Sequence, residues 1–246
     1  MRPGVRVRVA VVVVAWAALL AACSAEPEPS ATAGGGTAAV DLRPAEPPSC
    51  APDEATAYEA GPADDAFAVV TLGSGERGVV LSPQSDASLC QWVDQMERLA
   101  AEGYHVASYD WPLDAAAGIP AAVAALQEGG VEDVALVGAS KGGAYSAALA
   151  DELDPAPVAV VALGPPAEFG VDARSEASTY AGPLLVIAST DDASVDVEES
   201  REVARADDPD TFVELPGSAH GVALFDGEHR AEVEGLVDDV LAAAFG

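Results

Sequence analysis

Three residue types that together can activate a hydroxyl stand in turn-rich settings of this chain: a serine between glycines, two adjacent aspartates, and a histidine in a Gly- and Pro-bounded loop. Ser140 is the centre of Gly138-Ala139-Ser140-Lys141-Gly142, the aspartates close Ser189-Thr190-Asp191-Asp192, and His220 lies in Pro216-Gly217-Ser218-Ala219-His220-Gly221. A serine hydroxyl attacks carbonyl carbon only weakly. It becomes effective when an imidazole takes its proton and a carboxylate fixes the tautomer of that imidazole. The other two histidines fall elsewhere, His105 inside a strand pattern and His229 at the start of the last helical pattern. Both read as structural or exposed.

Glycine-flanked serines are common in an Ala- and Gly-rich chain, so the elements around Ser140 decide its meaning. Val134 to Val137 is a short apolar run that reads as a strand, and Lys141 to Leu153 reads as a helix. A sharp strand-to-helix reversal strains its central residue and crowds chain segments two positions to either side, where Gly138 and Gly142 stand. It also sets the hydroxyl at a helix N-terminus, whose free N–H groups favour developing negative charge.

The rest of the chain alternates strand and helix signals. Phe67 to Leu72 and Gly78 to Leu81 read as consecutive strands joined by a hairpin turn at Gly73-Ser74-Gly75. Leu89, Trp92, Val93, Met96, Leu99 and Ala100 fall on one helix face, and Gly103 ends that helix. Further strands are expected at Tyr104 to Tyr109, Val158 to Leu163, Leu184 to Ala188 and Phe212 to Leu215. Helices are expected at Pro120 to Gln127, Val197 to Arg205 and Glu228 to Phe245. Continuous apolar strands between helices imply a mostly parallel sheet covered on both faces. Reactive groups then collect at the carboxyl ends of strands, where the loops bearing Ser140, Asp191-Asp192 and His220 begin.

With three motifs in the order Ser, Asp, His, the chain from about Phe67 to Gly246 resembles the α/β-hydrolases. VALVGASKGG is similar to that family's nucleophile turn, PLLVIASTDDASV to its acid-bearing strand and turn, and PGSAHG to its histidine loop. The resemblance implies an α/β-hydrolase fold and a serine hydrolase in which Ser140 attacks, His220 carries the proton and Asp192 orients His220. Asp192 is preferred because Ser189 stands where relatives have the Gly that ends the strand, with the acid three residues on; Asp191 is the alternative. It also implies an oxyanion site built from the Lys141 N–H and one N–H of the loop after Leu81. Here the sequence departs from the His-Gly of many members. Ser82-Pro83-Gln84-Ser85 stands there, and proline has no N–H, which leaves Gln84 or Ser85, with Gln84 preferred. Neither a metal nor an organic cofactor is implied.

About twenty residues separate Leu163 from Leu184, too few for the large cap domain that many relatives insert. An open site for a small or accessible acyl group is the expectation. Carboxylic esters are the expected substrates. Thioester or peptide cleavage by the same triad is the alternative, and a non-catalytic binding protein that keeps the fold is the rival, supported by the altered Ser82-Pro83 loop. The Lys141 side chain reads as an exposed helix-start residue, or else as a group that attracts an anionic substrate. Trp92 and Trp111 read as core residues, with pocket lining the alternative.

Residues 1–22 have a positive start, an apolar run from Val9 to Leu20 and a small-residue end, the layout of a secretory leader. Leu20-Ala21-Ala22-Cys23 resembles the lipobox of bacterial lipoproteins, which implies lipid on Cys23, palmitate included, and a protein held on the membrane facing away from the cytoplasm. Residues 23–49, rich in Ala, Pro, Gly, Glu and Thr, read as a disordered tether with a reach on the order of 30 Å. The hydrolase domain is then expected at 50–246. With Cys23 used for lipid, Cys50 and Cys90 are left in an oxidising compartment and are expected to pair. The formal net charge of −30 excludes nucleic acid as a partner, and adhesion to anionic lipid would depend on the anchor.

Overall fold

A computed structural model describes residues 40–246, which form one nine-stranded sheet with helices on both faces. The strands are β1 (Leu42–Ala45), β2 (Thr56–Ala60), β3 (Phe67–Leu72), β4 (Arg77–Ser82), β5 (His105–Tyr109), β6 (Asp133–Ala139), β7 (Ala159–Leu163), β8 (Leu184–Ser189) and β9 (Phe212–Leu215). They lie in the order β1-β2-β3-β5-β4-β6-β7-β8-β9. The first three pairings, β1 with β2, β2 with β3 and β3 with β5, are antiparallel, and the rest are parallel. The helices are α1 (Val93–Ala101), α2 (Gly118–Glu128), α3 (Lys141–Ala148), α4 (Ala173–Glu176), α5 (Val197–Arg201) and α6 (Arg230–Phe245).

The alternation of side chains along each strand divides the core in two. Val80, Leu136, Val160 and Val186 point to the layer that holds Ile119 and Leu126 of α2 and Ala144 of α3. Their neighbours Val79, Val137, Val161 and Ile187 point to the other layer, against Met96 and Leu99 of α1 and Val233, Val237 and Leu241 of α6. Helix α3 is buried from Gly142 to Ala148, which explains its run of Gly and Ala: larger side chains would hold it off the sheet.

Several elements differ from expectation. β3 and β4 are not a hairpin, because β5 lies between them. The connecting loop instead presses on the start of β5: a Cβ at Gly73 would come within 2.3 Å of the Tyr104 carbonyl oxygen, and one at Gly75 within 2.1 Å of that of Gly103. Those glycines serve a crossing rather than a tight turn. The expected tether also runs too far, since Leu42–Ala45 pair with Thr56–Ala60 as the outer edge of the sheet. Strands β1 and β2 carry Pro44, Arg43 and Glu59 and show no clean alternation, so no strand signal marks them in the sequence. The leader, Cys23 and the first part of the tether lie outside the described residues. Among the described residues no helix is long and apolar enough to cross a membrane.

Cys50 and Cys90 are bonded, with Cα atoms 5.7 Å apart, which ties the segment after β1 to the turn before α1. Between β7 and β8 the chain holds only the one-turn helix α4, so no large cap is inserted there.

Candidate active site

Ser140 sits between the end of β6 and the first residue of α3 with φ 50° and ψ −118°, one of two non-glycine residues at positive φ among those described. A side chain held there costs on the order of 1–3 kcal/mol, so the surroundings must enforce it. The Ser140 N–H donates to the Leu163 carbonyl at 2.8 Å, and its own carbonyl accepts from Ala144 at 3.0 Å. Both flanking glycines are obligatory by contact. A Cβ on Gly138 would stand 2.2 Å from the Gly142 carbonyl oxygen, and one on Gly142 would stand 2.2 Å from that of Ser82.

The other two chemical residues arrive from strands further along the sheet. Asp192 follows β8, and its Oδ2 lies 2.6 Å from His220 Nδ1 in the loop after β9. Its second oxygen accepts the N–H groups of Ser194 at 2.8 Å and Val195 at 3.2 Å. The Asp192 side chain is 1% exposed and that of His220 16%, so the pair is shielded while the imidazole keeps an open edge. Nδ1 faces a carboxylate, which fixes it as the donor and leaves Nε2 as the acceptor. Asp191 is exposed, and only its N–H is engaged, by the Gly217 carbonyl at 2.8 Å. Of the two adjacent acids, Asp192 alone reaches the histidine.

Gly164, at the end of β7, went unnoticed in the sequence. At φ 55° it passes so close that a Cβ would lie 3.2 Å from His220 Nδ1 and 3.4 Å from Asp192 Oδ2. No local pattern marks it, since the closeness arises between three separate loops.

Gln84 differs from its expected part. Its N–H lies 2.8 Å from the Gln91 side-chain oxygen, with that amide oriented to accept also from Trp92 Nε1 at 3.2 Å. An N–H so engaged is not free for an oxyanion. Among the described residues the Ser85 N–H has no partner, and Lys141, the first residue of α3, has an N–H without a helical acceptor. Among the described residues, the N–H groups of Lys141 and Ser85 are therefore the ones left without a hydrogen-bond acceptor beside Ser140. Gln84 contributes its side chain instead: Oε1 accepts the Val222 N–H at 3.0 Å, while its carbonyl accepts Trp111 Nε1, also at 3.0 Å.

Ser140 and His220 line one open cleft of about 370 Å³ together with Gln84, Ser85, Pro166, Glu168, Phe169, Ser194, Val195 and Glu199. Glu199 Oε1 accepts the Ala167 N–H at 3.2 Å and so holds the wall that carries Phe169. Trp92 is fully buried, as expected of a core residue, but Trp111 is half-buried and lines a second cleft beside the first. The Lys141 side chain is not a free surface group. Its Nζ stands 3.7 Å over the Trp111 ring, and burial pushes its pKa down, partly opposed by Asp86. His105 and His229 lie away from this site: His105 is buried on β5, and His229 faces Glu232. No group of acidic, His or Cys side chains suited to a metal ion occurs among the described residues.

No protein-family model matches the sequence, and no curated protein matches it either. Solved structures do match the fold. An esterase of Pyrococcus furiosus superposes with a TM-score of 0.65 at 17% identity, over 78% of this chain and 92% of its own. A monoacylglycerol lipase of Paleococcus ferrophilus gives 0.59 at 16%, over 72% and 98%. An enol-lactonase of Burkholderia xenovorans gives 0.58 at 16%, over 73% and 98%. At such identities the likeness establishes the fold, which is the α/β-hydrolase fold that the three motifs led one to expect.

Proposed function

We propose that this protein is a serine hydrolase of carboxylic esters, exported and held on the outer side of the cell membrane by lipid on Cys23. The observation that carries the catalytic reading is the convergence of Ser140 and His220 on one cleft, with His220 fastened through Nδ1 to the shielded Asp192. In this reading the Ser140 oxygen bonds to the ester carbonyl carbon as its proton passes to His220 Nε2. The carbonyl π electrons move to oxygen, and the resulting oxyanion takes hydrogen bonds from the Lys141 and Ser85 N–H groups. Collapse expels the alcohol, which receives the proton from His220. Water then attacks the acyl-serine with the same proton transfers in reverse order of partner, releasing the acid and restoring Ser140. Asp192 keeps its charge throughout and stabilises the imidazolium.

A fold alone does not choose a reaction, so the test must be chemical. A fluorophosphonate probe should label the protein at Ser140 and abolish hydrolysis of short aryl esters. Ser140→Ala and His220→Ala should each lower kcat by about 10⁴ to 10⁶ in folded protein. Ester turnover that persists in Ser140→Ala would overturn the mechanism, and a protein that neither takes the probe nor turns over esters would be the binding protein with a hydrolase fold. Thioesters and peptides belong in the same screen, since the same triad serves them. For the anchor, Cys23→Ala should release the protein from the membrane fraction or block processing of the leader.

A further inference from the structure

Lys141 is the only lysine of the chain. Among the described residues no carboxylate lies within 4.0 Å of its ammonium, although the chain has 41 acidic residues against 11 basic ones. Arg43, Arg98, Arg174, Arg201 and Arg230 all have carboxylate partners. Lys141 instead leans over Trp111, 3.7 Å from the ring centre, with Tyr145 at 5.5 Å. Trp111 is itself fixed, by its hydrogen bond to Gln84 and by the edge of Tyr109 at 5.2 Å. The ammonium is therefore preformed in one place and half-buried without a counter-ion. Stacking on an aromatic face offsets part of what it loses in hydration, and an arriving anion would offset more.

The cleft around this ammonium has a volume of about 640 Å³ and shares Ser85 and Phe169 with the cleft of Ser140. The two clefts thus adjoin at these two residues. Two carboxylates also face the second cleft. Asp110 Oδ1 accepts the Leu89 N–H at 3.0 Å, and Asp86 is exposed, where water screens it. The net charge of −30 opposes an anion at long range, but beyond about 8 Å at physiological salt that field is largely screened.

We infer that Lys141 and Trp111 form a subsite for a carboxylate carried by the substrate, so that the preferred substrates are esters with a free carboxylate elsewhere in the molecule. This rests on the hydrolase reading above and names its substrate class. The carboxylate can sit on the acyl side, as in a half-ester of a dicarboxylic acid, or on the alcohol side, as in an acylated hydroxy acid.

The test compares esters that differ only at one end: free carboxylate, primary amide and ammonium, each placed once on the acyl side and once on the alcohol side. The reading is the ratio of kcat/KM for carboxylate over amide, taken within each protein so that a general loss at the nucleophile turn cancels. Wild type should give about tenfold or more on one side, the worth of one charge-assisted hydrogen bond. Lys141→Met keeps an unbranched stem over Trp111 and should bring the ratio to about one, and Lys141→Arg should restore most of it. A ratio near one on both sides in wild type, a preference for the ammonium ester, or an undiminished ratio in Lys141→Met would overturn the subsite. The wild-type ratio decides alone if the Met variant does not fold. Hydrolysis indifferent to charge removes only the subsite, whereas failure of all the esters together with failure of Ser140 to take the fluorophosphonate removes the hydrolase reading and the subsite with it.

Discussion

The side-chain oxygen of Gln84 accepts the backbone N–H of Val222 at 3.0 Å, which fastens the loop after β4 to the turn that bears His220. The fit is close: at Gly221, where φ of 56° disfavours any side chain, a Cβ would stand 2.8 Å from the end of the Gln84 side chain. One residue therefore links the loop that carries Ser85 to the loop that carries His220. Gln84→Ala should lower kcat by about 10-fold or more with a smaller change in KM, since the losses fall on groups used in the transition state. Gln84→Glu keeps an acceptor for the Val222 N–H, so it should recover part of kcat. Steady-state kinetics on both variants checks this, and equal values for Gln84→Ala and wild type would remove the positioning role.

Asp192 and Asp191 are adjacent, yet only the first touches His220. Asp192→Asn should lower kcat by about 10⁴, because an amide at this place favours the wrong tautomer. Asp191→Asn should change kcat less than about tenfold. The pair is read by measuring both variants against one ester, and a reversed order would transfer the role to Asp191.

The Cys50–Cys90 bond closes a loop spanning 40 positions. In the chain-entropy model such a loop is worth about 4 kcal/mol, so reduction or Cys90→Ser should lower the denaturant midpoint markedly and raise m somewhat, because the released denatured chain exposes more surface. Urea titrations of oxidised and reduced protein give the answer. Two thiols free to alkylation in oxidised protein would contradict the pairing.

Burial pushes the His105 pKa down, and Nδ1 of His105 finds no partner among the described residues. Burial thus disfavours the protonated imidazole in the folded state relative to the unfolded chain, which takes up a proton near pH 6.5. Because the folded pKa lies below the unfolded one, the contribution is complete above about pH 6.5 and is lost as pH falls through the folded value. His105→Gln should flatten that part of the stability profile, measured as the denaturant midpoint between about pH 7 and pH 5. An unchanged slope would show that carboxylates alone govern the acid response.

The sequence by itself determined the nucleophile turn, the strands that feed it and the order of the three reactive loops. These are local matters: apolar runs such as Val134 to Val137, helix-face spacing from Leu89 to Ala100, and glycines at Gly138 and Gly142 where the backbone must crowd. Tertiary structure alone decided which neighbour of each pair faces the cleft partners. Asp192 rather than Asp191 reaches His220 because of how the turn after β8 is held by Ser194 and Val195, and the Gln84 N–H turns to Gln91 while that of Ser85 has no partner among the described residues. The placement of β5 between β3 and β4, the Gly164 contact and the stacking of Lys141 on Trp111 were equally beyond reach. Each joins segments far apart in the chain, and a propensity or a spacing describes only neighbours in sequence.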